Sequence, residues 1–163
     1  QIIAIVNFSL TAPESLSTNM MLTEIVTLNP LREVKKIIIM NWYVENIEKL
    51  TLGNDNFREV LFTSLHSQLV VMSLEPNEEI GLETHPDNDQ FIRCESGQGT
   101  CIIDNNEYDI QDGYAMVIPA GATHNIINTS SSNQLKLYTL YSPPHHKDGT
   151  IDKTKAEADE SEE

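Results

Sequence analysis

Between Asn41 and Tyr141 the chain is cut into short apolar runs by clusters of Gly, Pro, Asn and Asp. The runs are "FREVLFTS", "SQLVVMSLEP", "QFIRCES", "GTCIIDN", "NEYDIQDG", "AMVIPAG", "HNIINTS" and "LKLYTLYS". Each is about the length of a strand, and the residues between them are those that turns require. No long helical periodicity interrupts the series. Regularly spaced short strands of this kind close into an all-β barrel or sandwich. The first two read as a hairpin around "SLHS", with His66 in its turn and no role assigned to it.

A chain of 163 residues holds one core and is too short for two ordinary domains. Its 25 acidic and 10 basic side chains give a formal charge of -15, which repels nucleic acid and anionic membranes. No Lys/Arg cluster offers a local exception, so neither is expected as a partner. No apolar run approaches the roughly 20 residues of a membrane span. A basic and then apolar leader is also missing at the start, so a cytoplasmic location is expected. Cys94 and Cys101 flank Gly97-Gln98, and a two-residue turn there would set them opposite each other across a hairpin. Two cysteines make no disulfide framework, and buried free thiols are expected over a bridge.

Three segments follow from composition. Residues 1–40 form an N-terminal extension of uncertain structure, in which "STNMMLTEIVTLNPLREVKKIII" suits two short helices and "KKIIIM" suits an edge strand equally well. That segment reads as a dimer-forming arm or as sequence outside the working domain, with Met40 a candidate natural start. Residues 41–146 form the β-barrel. Residues 147–163 are polar, lack aromatics and end acidic, as a strap followed by a disordered tail would.

One stretch carries chemistry. In "GYAMVIPAGATHNIIN", Gly113, Pro119, Gly121, His124 and Asn128 are separated by five, one, two and three residues. These five residue types at these spacings resemble the second motif of the cupin family, jelly-roll β-barrels that often hold one metal ion. Local physics agrees, because Pro119-Ala120-Gly121 ends a strand without needing ladder hydrogen bonds. His124 then opens the next strand. The first cupin motif is matched in altered form by "NEEIGLETHPDNDQFIRCESG", which ends in Gly97. Counting back from Gly97 places Gln90 at the family's Glu position, His85 and Glu83 at its two His positions, and Asn77 at its opening Gly.

The resemblance therefore implies a single cupin-type jelly-roll β-barrel and the ligand set Glu83, His85, Gln90 and His124. Glu83 and His85 are two residues apart and share a strand face. Gln90 is out of phase with His85, and the turn "PDND" resets the phase so that Gln90, Ile92 and Cys94 point inward while Arg93 and Glu95 point out. If that reset is wrong, Asp87 or Asp89 replaces Gln90. Two imidazoles, one carboxylate and one amide oxygen suit a single divalent ion, Mn²⁺, Fe²⁺, Ni²⁺ or Zn²⁺, with positions left for water or substrate.

The ending "LKLYTLYSPPHHKDGTIDKTKAEA" also resembles one subgroup of small single-domain cupins. His145 and His146 follow two prolines there and read as a surface pair. Of Tyr138 and Tyr141, on opposite faces of the last strand, one lines the interior. The functional expectation is a small metalloenzyme, isomerase- or dioxygenase-like, acting on a sugar-like or organic-acid substrate. The alternative is a non-catalytic ligand-binding or sensor module. A phosphosugar substrate is disfavoured by the scarcity of cations, Arg58, Arg93, Lys136 and Lys147 being the candidates. Pairing through barrel edges makes a homodimer the expected assembly.

Overall fold

The computed structural model describes residues 42–161. The chain divides into two units after Trp42, and the description concerns the second, which begins at Tyr43. The readings for residues 1–40, Met40 included, lie outside the described residues.

Two antiparallel sheets enclose the core. In chain order the elements are α1 (Ile47–Gly53), β1 (Arg58–Thr63), β2 (Gln68–Leu74), β3 (Glu83–Thr84), β4 (Asp89–Ser96) and β5 (Gln98–Ile103). They continue with β6 (Asn106–Gln111), β7 (Ala115–Ile118), β8 (Thr123–Asn128), β9 (Leu135–Ser142), β10 (Ile151–Asp152) and α2 (Lys155–Ser161). One sheet runs β10-β1-β2-β9-β4-β7 and the other β3-β8-β5-β6, the arrangement of a jelly roll. All eight strand-like runs of the sequence are strands, and the first two do form a hairpin, closed by the Ser64 and Ser67 backbones.

Alternation along the strands puts Val70, Ile92, Ile118, Ile126, Leu135 and Leu137 between the sheets, each almost without solvent exposure. In β4 the inward set is Gln90, Ile92 and Cys94, the phase expected after the "PDND" reset. On the outer face Arg93 Nε donates to Glu95 Oε1 at 2.8 Å.

The Gly97-Gln98 link is not a hairpin turn. β4 pairs with β7 and β9, whereas β5 pairs with β6 and β8, so the chain changes sheets at Gly97. Gly97 has φ 95°, and a Cβ there would come within 2.6 Å of the Gln134 carbonyl oxygen, so only glycine makes the passage without strain. Cys94 and Cys101 therefore sit in different sheets, both buried and both free.

Of the C-terminal segment, read from the sequence as a strap followed by a tail disordered at its end, the residues up to Ser161 include β10 and α2. β10 pairs with β1, and Asp152 Oδ2 accepts from Arg58 Nε at 2.7 Å with both side chains buried. Thr154 Oγ1 accepts from the Glu157 N–H, capping α2, and Ala158 packs into the core cluster. Lys155 Nζ donates to the Ile80 carbonyl at 2.8 Å. Counting aromatic and apolar residues misses this segment, because charged side chains dock it.

A buried guanidinium left without its carboxylate is costly, by about 3–5 kcal/mol. Asp152→Ala is thus expected to lower the unfolding free energy by roughly that amount in urea titration. A loss under about 1 kcal/mol would mean that the ion pair does not anchor the segment.

Candidate functional site

The antiparallel register of β3 and β8 pairs Glu83 with His124 and Thr84 with Thr123, so the first two side chains share a face. His85 follows directly, and its carbonyl accepts the Gly121 N–H at 2.8 Å, which ties it to the Pro-Ala-Gly turn. Gly121 takes φ 85°, a conformation that favours glycine. Asn77, which stands where the family pattern has its opening glycine, takes φ 63°, and asparagine tolerates this better than most residues. Asn128 is buried, and its amide donates to the carbonyls of Leu74, Glu75 and Asn133 at 2.9–3.0 Å. Its place in the motif is thereby explained as backbone satisfaction rather than chemistry.

One ligand atom from each of Glu83, His85 and His124 falls within 4.8 Å of the others. Glu83 Oε2 lies 3.2 Å from His85 Nε2 and 3.8 Å from His124 Nε2. Gln90 reaches the same point from the opposite sheet, its Oε1 lying 2.9 Å from His124 Nε2 and its Nε2 donating to Thr139 Oγ1 at 3.2 Å. Three of the residues named from the sequence, Glu83, His85 and His124, therefore cluster, and Gln90 lies against His124. Asp89 does not join them, because its Oδ1 accepts the Ala120 N–H at 2.9 Å, and Asp87 is exposed.

The donor set fits a divalent ion. Atoms about 2.1 Å from a common centre lie about 3.0 Å apart as octahedral neighbours and about 3.4 Å apart in a tetrahedron. The separations of 2.9 and 3.2 Å are close to these values, and the Glu83–His124 separation of 3.8 Å is wider than either. His124 Nδ1 donates to the Ala122 carbonyl at 3.2 Å, which leaves the Nε2 lone pair aimed at the cluster. Burial moves the His124 pKa below its ordinary value, and the Ala122 carbonyl and Glu83 only partly oppose it. The imidazole is therefore neutral at pH 7, as a ligand must be.

Beside the cluster opens a cavity of about 550 Å³, lined by Glu83, His85, Arg58, His145, His146 and Lys147 among others. The last three belong to a strap that leaves β9 at Pro143-Pro144. Buried Gln68 holds it, with Oε1 accepting the His145 and His146 N–H groups at 3.2 and 2.8 Å and Nε2 donating to the His146 carbonyl. Asn88 Nδ2 donates to the Pro143 carbonyl. The His145 ring packs edge-on against His85 with centroids 4.2 Å apart and stacks on Tyr141 at 5.3 Å. Tyr141 is thus the inward tyrosine of β9.

The sequence reading expected a strap but treated His145 and His146 as a surface pair, whereas both line the cavity. The signal was Pro143-Pro144, which cannot continue a ladder and turns the chain across the barrel mouth. Cys94 and Cys101 contribute nothing here, since burial pushes both thiols up to about 11.

Arg58 Nη1 donates to His146 Nδ1 at 3.2 Å, and a guanidinium can only donate, so the His146 hydrogen resides on Nε2. Burial, helped by Arg58, His145 and His85, pushes its pKa from 6.5 down to about 3, and the Tyr141 ring packs edge-on against it. Between those values the unfolded chain binds a proton that the folded chain refuses, so the stability contributed by neutral His146 is complete above about pH 6.5 and falls below it. His146→Gln keeps an acceptor for Arg58 and is expected to lose less melting temperature than the wild type between about pH 7 and about pH 4.5. Parallel losses in the two proteins would contradict the assignment.

Comparison with known proteins agrees with this geometry. The Cupin domain family model matches residues 70–141. An uncharacterized protein of Acanthamoeba polyphaga mimivirus is 49% identical over 113 residues, covering 68% of this chain and 71% of its own. Protein YrkC of Bacillus subtilis, also uncharacterized, is 44% identical over 122 residues, 71% of this chain and 65% of YrkC. The crystal structure of BH2720 from Bacillus halodurans is 44% identical, superposes with a TM-score of 0.70, and is matched over 93% of its length and 72% of this chain. The fold, the two motifs and these relatives together show that the chain belongs to the cupin superfamily.

Proposed function

We propose that the protein binds one divalent metal ion through Glu83, His85, Gln90 and His124 and acts as a small metalloenzyme on a sugar-like or organic-acid substrate. The observation that supports this reading is the cluster of Glu83, His85 and His124, with Gln90 against His124 from the other sheet, beside a cavity that Glu83 and His85 line. A bound Mn²⁺, Fe²⁺, Ni²⁺ or Zn²⁺ would polarise a carbonyl or enediol oxygen of the substrate. His85 and His124 would supply nitrogen donors and Gln90 an amide oxygen. Glu83 brings the cluster's one carboxylate.

Glu83 also faces the cavity, and its Oε2 reaches both imidazoles. That position suits it to exchange a proton with a substrate oxygen or carbon. His85 is shielded by the His145 and Tyr141 rings, which limit water on that side. Both isomerisation and oxygen-dependent cleavage are compatible with one metal and one carboxylate, and the choice between them belongs to the substrate.

Metal analysis of untagged protein should find about one ion per chain. Glu83→Ala, His85→Ala and His124→Ala are expected to lose metal affinity by about 100-fold or more, and Gln90→Ala by about tenfold. Turnover against a panel of small sugars and hydroxy acids, with each metal in turn, then identifies the reaction class. A chain that takes up no metal on reconstitution would overturn this reading in favour of a ligand-binding or sensor module.

A further inference from the structure

The outer faces of the two sheets differ in composition. On the four-stranded sheet the outward positions are mostly polar, with Thr84, Thr100, Glu107, Asp109 and Thr123 beside Ile102 and Ile127, as a face turned to water requires. The six-stranded sheet breaks that rule along one row. Strand register sets Phe62 beside Leu69, Leu69 beside Leu140, Leu140 beside Phe91 and Phe91 beside Val117. Their sequence neighbours Val70, Thr139, Ile92 and Ile118 are buried between the sheets, so the row lies on the outside. Five apolar side chains thus cross β1, β2, β9, β4 and β7 in line.

Val117 is 69% exposed and Leu140 37%, while Phe62, Leu69 and Phe91 are half-buried. Tyr43 packs on Phe62 with ring centroids 5.6 Å apart, and Tyr138 packs on Phe91 at 6.0 Å. At Val117 the row runs into a groove of about 500 Å³ lined by residues of β6 and β7, where Tyr108 and Tyr114 are exposed. None of the five side chains is charged. Arg93, in the next row, is paired with Glu95 at 2.8 Å. Single exposed apolar residues need no explanation, but a connected row marks a contact surface.

We propose that this face packs against the same face of a second copy of the chain. A straight apolar row is complementary to itself, since a two-fold axis in the plane of contact lays one row on the other. The size is also right. Five strands about 4.8 Å apart make a face roughly 24 Å across, and strands of eight residues, such as β4 and β9, run about 27 Å. α1 occupies the end of this face near Lys136, whose Nζ donates to the Asn54 carbonyl. The remainder with the adjoining groove is on the order of the 800 Å² that each partner gives to a stable contact. Charge selects the occupant. A cationic partner would be drawn to Glu107 and Asp109 on the other sheet, whereas two copies with a formal charge of -15 meet most readily where carboxylates are few. Phe62, Phe91, Tyr138 and Arg93 are also of the types enriched at the centre of interfaces. The contact runs face to face, where the sequence suggested pairing through edges, and it does not rest on the metal reading.

Sedimentation equilibrium of the full chain across the micromolar range tests this, and the wild type is expected to be a dimer. Val117→Lys alters an exposed side chain and so spares the fold of the single chain, yet in the dimer it sets two charges into an apolar contact. That variant and Leu140→Lys should each raise the dimer dissociation constant at least about 100-fold. Ile102→Lys, the same charge change on the outer face of the other sheet and opposite Glu107, should leave it within about threefold. If Leu140→Lys fails to fold, Val117→Lys decides. A wild type that stays monomeric throughout, a dimer that survives Val117→Lys, or an equal loss in Ile102→Lys would overturn the proposal.

Discussion

The register between β3 and β8 is the constraint on which the site depends. It sets Glu83 opposite His124 on one sheet, and a one-residue slip would turn both side chains to the other face. On the facing sheet, Gln68, Tyr141 and Gln90 occupy one row across β2, β9 and β4. Leu74 and Leu135 pair at the far end of β2 and β9. The space between the sheets is thus apolar at one end and lined with nitrogen and oxygen donors at the other. Burying such groups is costly unless they are partnered, and several have partners: Thr139 for the Gln90 amide nitrogen, the Ala122 carbonyl for His124, the strap backbone for Gln68.

Much of this was legible because strands and turns leave local marks. Alternation in "QFIRCES" and the Pro-Ala-Gly turn are properties of adjacent residues, and the structure keeps the expected phase at Gln90, Ile92 and Cys94. The four site residues were reachable by motif spacing, with the turn before β4 bringing Gln90 inward. What escaped depends on contacts distant in sequence. Whether Gly97 makes a hairpin or passes between sheets is decided by which strands β4 and β5 find, and those pairings are non-local. β3 and β10 have two residues each, too few to show a period. The buried Arg58–Asp152 pair joins residues 94 positions apart, and neither end has an apolar signature.

The strap is held over the barrel mouth by polar contacts. Gln68 and Asn88 hold its backbone, prolines start it, and Arg58 sets the orientation of one histidine. None of these residues is unusual by itself. Together they place His145 over His85 and bring Lys147 to the cavity beside the candidate metal centre.

The most direct test of the account is anomalous diffraction from crystals grown with the metal that co-purifies. The account predicts one anomalous peak within about 2.5 Å of His85 Nε2, His124 Nε2, a Glu83 carboxylate oxygen and Gln90 Oε1. A peak held by His145 and His146 without His124, or no peak between the sheets from a metal-replete sample, would contradict it.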